Sequence, residues 1–167
     1  MAVQDKYTDA SLEAGKKGPS AKVAGAQLLC LFFQFEVAAA DSNESVYRIA
    51  RLPANAIPVK GEIFADAAID GTDFDLGLYK PGIGGAVVDI DLLADGLDLA
   101  SGEAITAPLN LLTNLGGADP IASYGKKLWE LLGLSAPGRN DYDLAITARV
   151  AGGAAGTISG NFWYIIG

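Results

Sequence analysis

From Gln27 onward the apolar residues of this chain recur at every second position instead of every third or fourth, and a period of two dictates strands. Leu29, Leu31, Phe33, Phe35 and Val37 fall on one face of the first such segment. Leu28, Cys30 and Phe32 make the start of the other face apolar too, before it turns polar at Gln34 and Glu36. The pattern predicts a long strand covered on both sides at its start, with Cys30 a small buried hydrophobe. Asp41-Ser42-Asn43 carries turn chemistry. A second strand is expected over Val46 to Leu52, ended by Pro53, and a third near Val59 to Ala65.

The alternation is cleanest at Asp73 to Tyr79. There Phe74, Leu76 and Leu78 point one way, and Asp73, Asp75, Gly77 and Tyr79 the other. Lys80-Pro81-Gly82-Ile83-Gly84-Gly85 interrupts it, and Ala86 to Ile90 can return as a strand. Leu92-Leu93-Ala94-Asp95-Gly96 has the form of one helical turn closed by glycine. Asp119 and Pro120 suit the N-cap and first position of a helix reaching Gly133, with Ile121, Tyr124, Leu128, Leu131 and Leu132 on its buried face. The closing hairpin alternates Tyr142, Leu144, Ile146, Ala148 and Val150 with polar or small residues. It returns with Ile158, Phe162, Tyr164 and Ile166 inward. Trp163 and Ile165 make the second face of that strand apolar, which suits a central or covered position.

Seven or eight short strands, glycine turns and no βαβ rhythm predict an all-β antiparallel β-sandwich or jelly roll with one short appended helix. Its inward side chains are expected to be Leu29, Leu31, Phe33, Phe35, Phe74, Leu76, Leu78, Leu144, Ile146, Phe162 and Tyr164. Residues 1–25 mix charge with small residues and show no sustained apolar period, so an extended N-terminal arm is expected there. The sandwich domain then spans 26–167, with 108–134 as a helical insertion.

Composition removes most chemistry. The 167 residues contain no histidine and one cysteine, so the commonest general base and metal ligand, any internal disulfide and any Cys–His nucleophile are absent. A net charge of −8 opposes a general nucleic-acid binder, because phosphate affinity comes from clustered Lys and Arg. No apolar run approaches the roughly 20 residues of a membrane span. Leu28 to Phe33 followed by Ala38-Ala39-Ala40 has the outline of a secretory leader. Its core of about six residues is too short, however, and a soluble protein made in a cytoplasm is expected.

The candidate motifs have structural explanations. Asp89 to Asp98 lacks the ligand at the fifth position of a calcium loop, where Leu93 stands, and its glycine comes two places late. Asp70 to Asp75 is an Asp-Gly turn entering a strand. In Lys80 to Gly85 the lysine precedes the glycines, the reverse of a phosphate-binding loop. Asp75 and Glu62 are an imaginable carboxylate pair for glycoside hydrolysis, but aromatics outside the strands are too few for a sugar platform. No catalytic, cofactor-binding or metal-binding residue is therefore assigned, no cofactor is expected, and the protein is not expected to be an enzyme.

Three elements together resemble the β-sandwich virion proteins of tailed bacteriophages, the capsid decoration or cement proteins. They are the strand Phe74-Asp75-Leu76-Gly77-Leu78-Tyr79, the turn Val88-Asp89-Ile90-Asp91-Leu92-Leu93-Ala94-Asp95-Gly96, and the closing pair Tyr142 to Thr147 with Gly156-Thr157-Ile158. The likeness covers about 45–100 and 140–167 and leaves out 108–134. It implies a noncatalytic protein on the outer surface of a virion capsid, assembled in the host cytoplasm. Such a protein would bridge neighbouring major capsid protein subunits as a homo-oligomer, without nucleic-acid or membrane partners. The alternative is a phage tail, fibre or receptor-binding sandwich whose loops recognise a host glycan, which exposed loop aromatics would favour.

Overall fold

The computed structural model describes residues 26–66, 69, 73–100, 102, 108–117, 120–138, 140–150 and 153–166. The expected arm over 1–25, the Asp119 cap and Asp70-Gly71-Thr72 lie outside them. Eight strands form: β1 (Gln27–Val37), β2 (Ser45–Pro53), β3 (Ala56–Ala65), β4 (Asp73–Tyr79), β5 (Val87–Leu97), β6 (Leu109–Asn110), β7 (Asp141–Val150) and β8 (Gly156–Ile166). Two one-turn helices, α1 (Pro120–Ser123) and α2 (Leu128–Leu131), lie between β6 and β7.

The strands make two four-stranded antiparallel sheets, ordered β1-β8-β3-β6 and β2-β7-β4-β5. Successive strands alternate between the sheets except where β4 passes directly to β5. The late strands β7 and β8 slot between early ones, which is the jelly-roll arrangement. The fold is thus the all-β antiparallel sandwich that the alternation predicts.

The two inner faces meet in one core. Phe74, Leu76, Leu78, Leu144, Ile146 and Phe162 are fully buried, and Tyr164 nearly so. Leu29, Leu31, Phe33 and Phe35 pack against this core but are only partly buried, because β1 is the outermost strand of its sheet. For the same reason the outer face of β1 is not covered. Leu28 is 59% and Phe32 80% exposed, and Cys30 is an exposed free thiol, not a buried hydrophobe. Leu28 to Ala40, the leader-like stretch, is β1 and the turn after it, where Asp41 accepts the Ala38 N–H at 2.9 Å. The apolar second face of β8 fits its central place, with Trp163 between Cys30 of β1 and Lys60 of β3.

Two local expectations fail for backbone reasons. Leu92 to Gly96 is not a helical turn but the second half of β5. Between the pairs Leu76↔Ala94 and Leu78↔Asp89, β4 advances two residues while β5 advances five. The surplus bulges outward, which breaks the alternation and buries Leu92, Leu93 and Ala94 in succession. The bulge arches over Gly77, where an added Cβ would collide with the carbonyls of Asp89 and Ile90. Its own backbone is held from the far side, since Asn114 and Gly116 donate to the carbonyls of Leu93 and Leu92 at 3.0 and 2.8 Å.

Likewise 108–134 is not a single helical insertion, because it supplies β6 to the first sheet and then two separate helices. Gly125 takes φ +83° and divides them, and Gly133 at φ +68° closes the second. The division turns Ile121 and Tyr124 out to 89% and 65% exposure, while Leu128 is fully buried.

Candidate functional site

Antiparallel alternation places the β2–β3, β4–β5 and β6–β7 connections at one end of the sandwich. Hydrogen bonds tie the first and the third together there: Trp129 N–H donates to the Ala54 carbonyl at 3.1 Å, and Ala54 N–H to the Asn140 carbonyl at 3.2 Å. This end carries two hollows. One hollow of about 520 Å³ has apolar walls from Leu112, Leu115, Pro120, Ile121 and Tyr124. A second groove of about 570 Å³ runs between Lys80, Pro81, Val88, Asp89, Leu134 and Tyr142. Ile83, at the tip of the β4–β5 loop, is fully exposed.

That loop is fixed by a carboxylate the sequence did not single out. Asp143 of β7 has a side chain only 9% exposed. Its Oδ2 accepts the Gly82 N–H at 2.8 Å and Arg48 Nη1 at 3.0 Å, and its Oδ1 accepts Arg51 Nε at 3.1 Å. Arg48 also donates to the Lys80 and Gly85 carbonyls and lies 5.1 Å above the Tyr79 ring. Burial opposes ionisation of Asp143, but the Gly82 N–H and the Arg51 and Arg48 guanidiniums outweigh it and hold the carboxyl below the usual range. The Lys80–Gly85 stretch is thus a loop between two strands, clamped from beneath, without phosphate-loop geometry.

The acids weighed in the sequence do not converge. Asp75 is buried on the outer face of the second sheet. Burial chiefly raises its pKa, with Asp73 and Asp95 adding to the rise and the Gly96 N–H and Arg149 opposing it. Glu62 lies on the outer face of the first sheet, paired with Lys60 at 2.7 Å, so the sandwich stands between the two carboxylates. Asp89 has a raised pKa, first from burial and then from Asp91 beside it on the same face of β5. Among the described residues no three Asp, Glu or Cys side chains are grouped to hold a metal ion, and no helix is long and apolar enough to cross a membrane. Among the described residues Tyr124 is an exposed loop aromatic, and Phe32 is also exposed but lies on a strand.

The fold defines the class: an antiparallel jelly roll with exposed apolar side chains both on the connections at one end and on β1. No protein-family profile and no curated protein matches the sequence. Among solved structures, a chain in the capsid of Ralstonia phage GP4 is similar at a TM-score of 0.58 and 15% identity, covering 84% of this chain and 85% of that one. A chain of the cyanophage Pam1 capsid asymmetric unit matches at a TM-score of 0.45 and 15% identity, with 86% of each covered. The GP4 likeness gives the fold, one found in a phage capsid.

Proposed function

We propose that this chain is a noncatalytic structural protein of a phage virion, of the capsid decoration or cement kind. It would bind the outer shell and bridge major capsid protein subunits as a homo-oligomer. The observation that carries this reading is the GP4 likeness, because it runs over more than four fifths of both chains. The two proteins are of similar size, so the shared jelly roll is nearly the whole of each.

The surface chemistry supports the same reading. Ile83, Ile121, Tyr124 and Leu134 are exposed at one end, on connections held by the Asp143 clamp and the Ala54 hydrogen bonds. Apolar side chains on pre-ordered loops suit contact with a protein surface, where many modest contacts add up over a repeating lattice. Residues 1–25 would reach a neighbouring subunit from the start of β1. On this reading the protein belongs to the virion surface, takes no cofactor and has no nucleic-acid or membrane partner.

The test is sedimentation of the purified chain with phage heads that lack it. Saturable, stoichiometric co-sedimentation with heads and none with isolated tails is the expected result. Binding to tails or host cells in place of heads would overturn it in favour of a receptor-binding sandwich.

A further inference from the structure

Open sheet edges invite unwanted pairing, and among the described residues three of the four sheet edges are blunted. β6 is two residues long. β2 carries Arg48, Arg51, a register break and Pro53. β5 is heavily bulged and carries Asp89, Asp91 and Asp95. β1 has none of these devices. It is eleven residues long, contains no proline, lysine or arginine, bears Glu36 as its single charge, and pairs with β8 without a register break. It is also underburied on both faces: Leu28, Cys30 and Phe32 are exposed outside, and Leu29 to Phe35 are half-covered inside. Ile158 and Phe162, on the inner face of the neighbouring β8, are fully buried. Among the described residues, none covers β1 from the edge direction, where another strand would supply that coverage.

We propose that β1 is a self-association edge, and that a second copy of this chain adds its own β1 antiparallel about a two-fold axis at Phe32. The strand is its own complement in this register. Leu31 faces Phe33 of the other copy and Leu29 faces Phe35, so the core faces of both sandwiches run on continuously. Cys30 faces Gln34, and the two Phe32 rings meet on the outer face. Charge permits the pairing despite the net −8. Each Glu36 faces Leu28 of the other copy, which puts the two carboxylates about 27 Å apart at opposite ends of the seam. The two four-stranded sheets become one of eight strands, with the apolar outer faces of both β1 strands adjoining.

The inference stands independently of any capsid, and its test needs only the full chain. Sedimentation equilibrium under reducing conditions, from low micromolar to about 100 µM, is expected to show a monomer–dimer equilibrium. Phe32→Lys sets two ammonium groups face to face at the two-fold and should weaken self-association at least about tenfold. Because Phe32 is 80% exposed, the melting temperature of the dilute monomer should not change. Gln34→Cys, treated with diamide, should give a dimer linked by a disulfide between Cys30 of one copy and the thiol introduced at position 34 of the other. The unaltered chain should not crosslink, since its two Cys30 residues would lie about 13 Å apart along the seam. A chain that stays monomeric throughout the range overturns the proposal. So does an oligomer whose mass is untouched by Phe32→Lys, or one in which the unaltered chain crosslinks as readily as Gln34→Cys.

Discussion

Asp143→Ala tests whether one carboxylate orders the β4–β5 loop. The substitution removes an acceptor for three donors: the Gly82 N–H, Arg48 Nη1 and Arg51 Nε. Their burial differs, and that sets the cost. The Arg51 side chain is 55% exposed and can rehydrate, so its share falls in the surface range of about 0–1 kcal/mol. Arg48 is 20% exposed and keeps the Lys80 and Gly85 carbonyls, so losing its counter-ion costs less than the roughly 3–5 kcal/mol of a fully buried pair. The Gly82 amide loses its side-chain acceptor, worth about 1 kcal/mol. Together these give about 2–3 kcal/mol for Asp143→Ala, a fall of about 4–12 °C in Tm at this chain length. Asp143→Asn keeps an oxygen for Gly82 but not the charge and should cost about half as much.

Urea denaturation of both variants, with hydrogen exchange at the Gly82 amide, checks the order. The carboxyl also has a pH signature. Its folded pKa lies below the unfolded value of about 3.9, so its contribution is present above that pH and is lost as acid titrates through the folded value. Asp143→Ala should flatten that acid limb. A cost below about 0.5 kcal/mol, or unchanged exchange at Gly82, would refute the clamp.

Gly77→Ala should destabilise by about 3 kcal/mol or more in the same denaturation assay, since its Cβ meets the Asp89 and Ile90 backbone and no side chain can move aside. Leu76→Ala, at a fully buried position, should cost about 2–5 kcal/mol, and a loss under about 1 would misplace the β4 face. Asp75 has the opposite sign from Asp143. Its raised folded pKa means the native state loses stability as pH rises from about 4 through that value, and melting curves of Asp75→Asn should lack that decline. Chelator should leave Tm unchanged; a large drop would give the carboxylates near Asp75 or Asp89 a cation after all.

The sandwich is legible in the sequence because the side chains that face between the two sheets must be large and apolar, which imposes a period of two on the sequence, and Phe74, Leu76, Leu78, Leu144 and Ile146 obey it. What escapes is set by neighbours in space. Nothing in Leu28-Leu29-Cys30-Leu31 shows that its strand ends a sheet, so an apolar outer face looks the same as a covered one. Leu92-Leu93-Ala94 breaks the alternation as a helical turn would; only the five-against-two register with β4 makes it a bulge. Asp143 looks like one more outward polar residue, because its partners Arg48, Arg51 and Gly82 lie 61 to 95 positions away. The helix expected over 119–133 is too long because Gly125 is a left-handed break, which composition alone does not distinguish from a weak helical residue.

The placement of β7 and β8 has a consequence for how the chain is made. β1 and β3 share no ladder with each other, nor do β2 and β4; each pair is joined only through a strand from the last 27 residues. A ribosome that has delivered β1 to β5 has therefore produced long unpaired edges, with only the β4–β5 hairpin able to close. Ladder formation waits for distant sequence, which makes folding slow and late by contact-order reasoning. Nascent chains stalled before Asp141 should remain protease-sensitive and prone to pair with one another, and protection should arrive in a single step once β8 clears the exit tunnel.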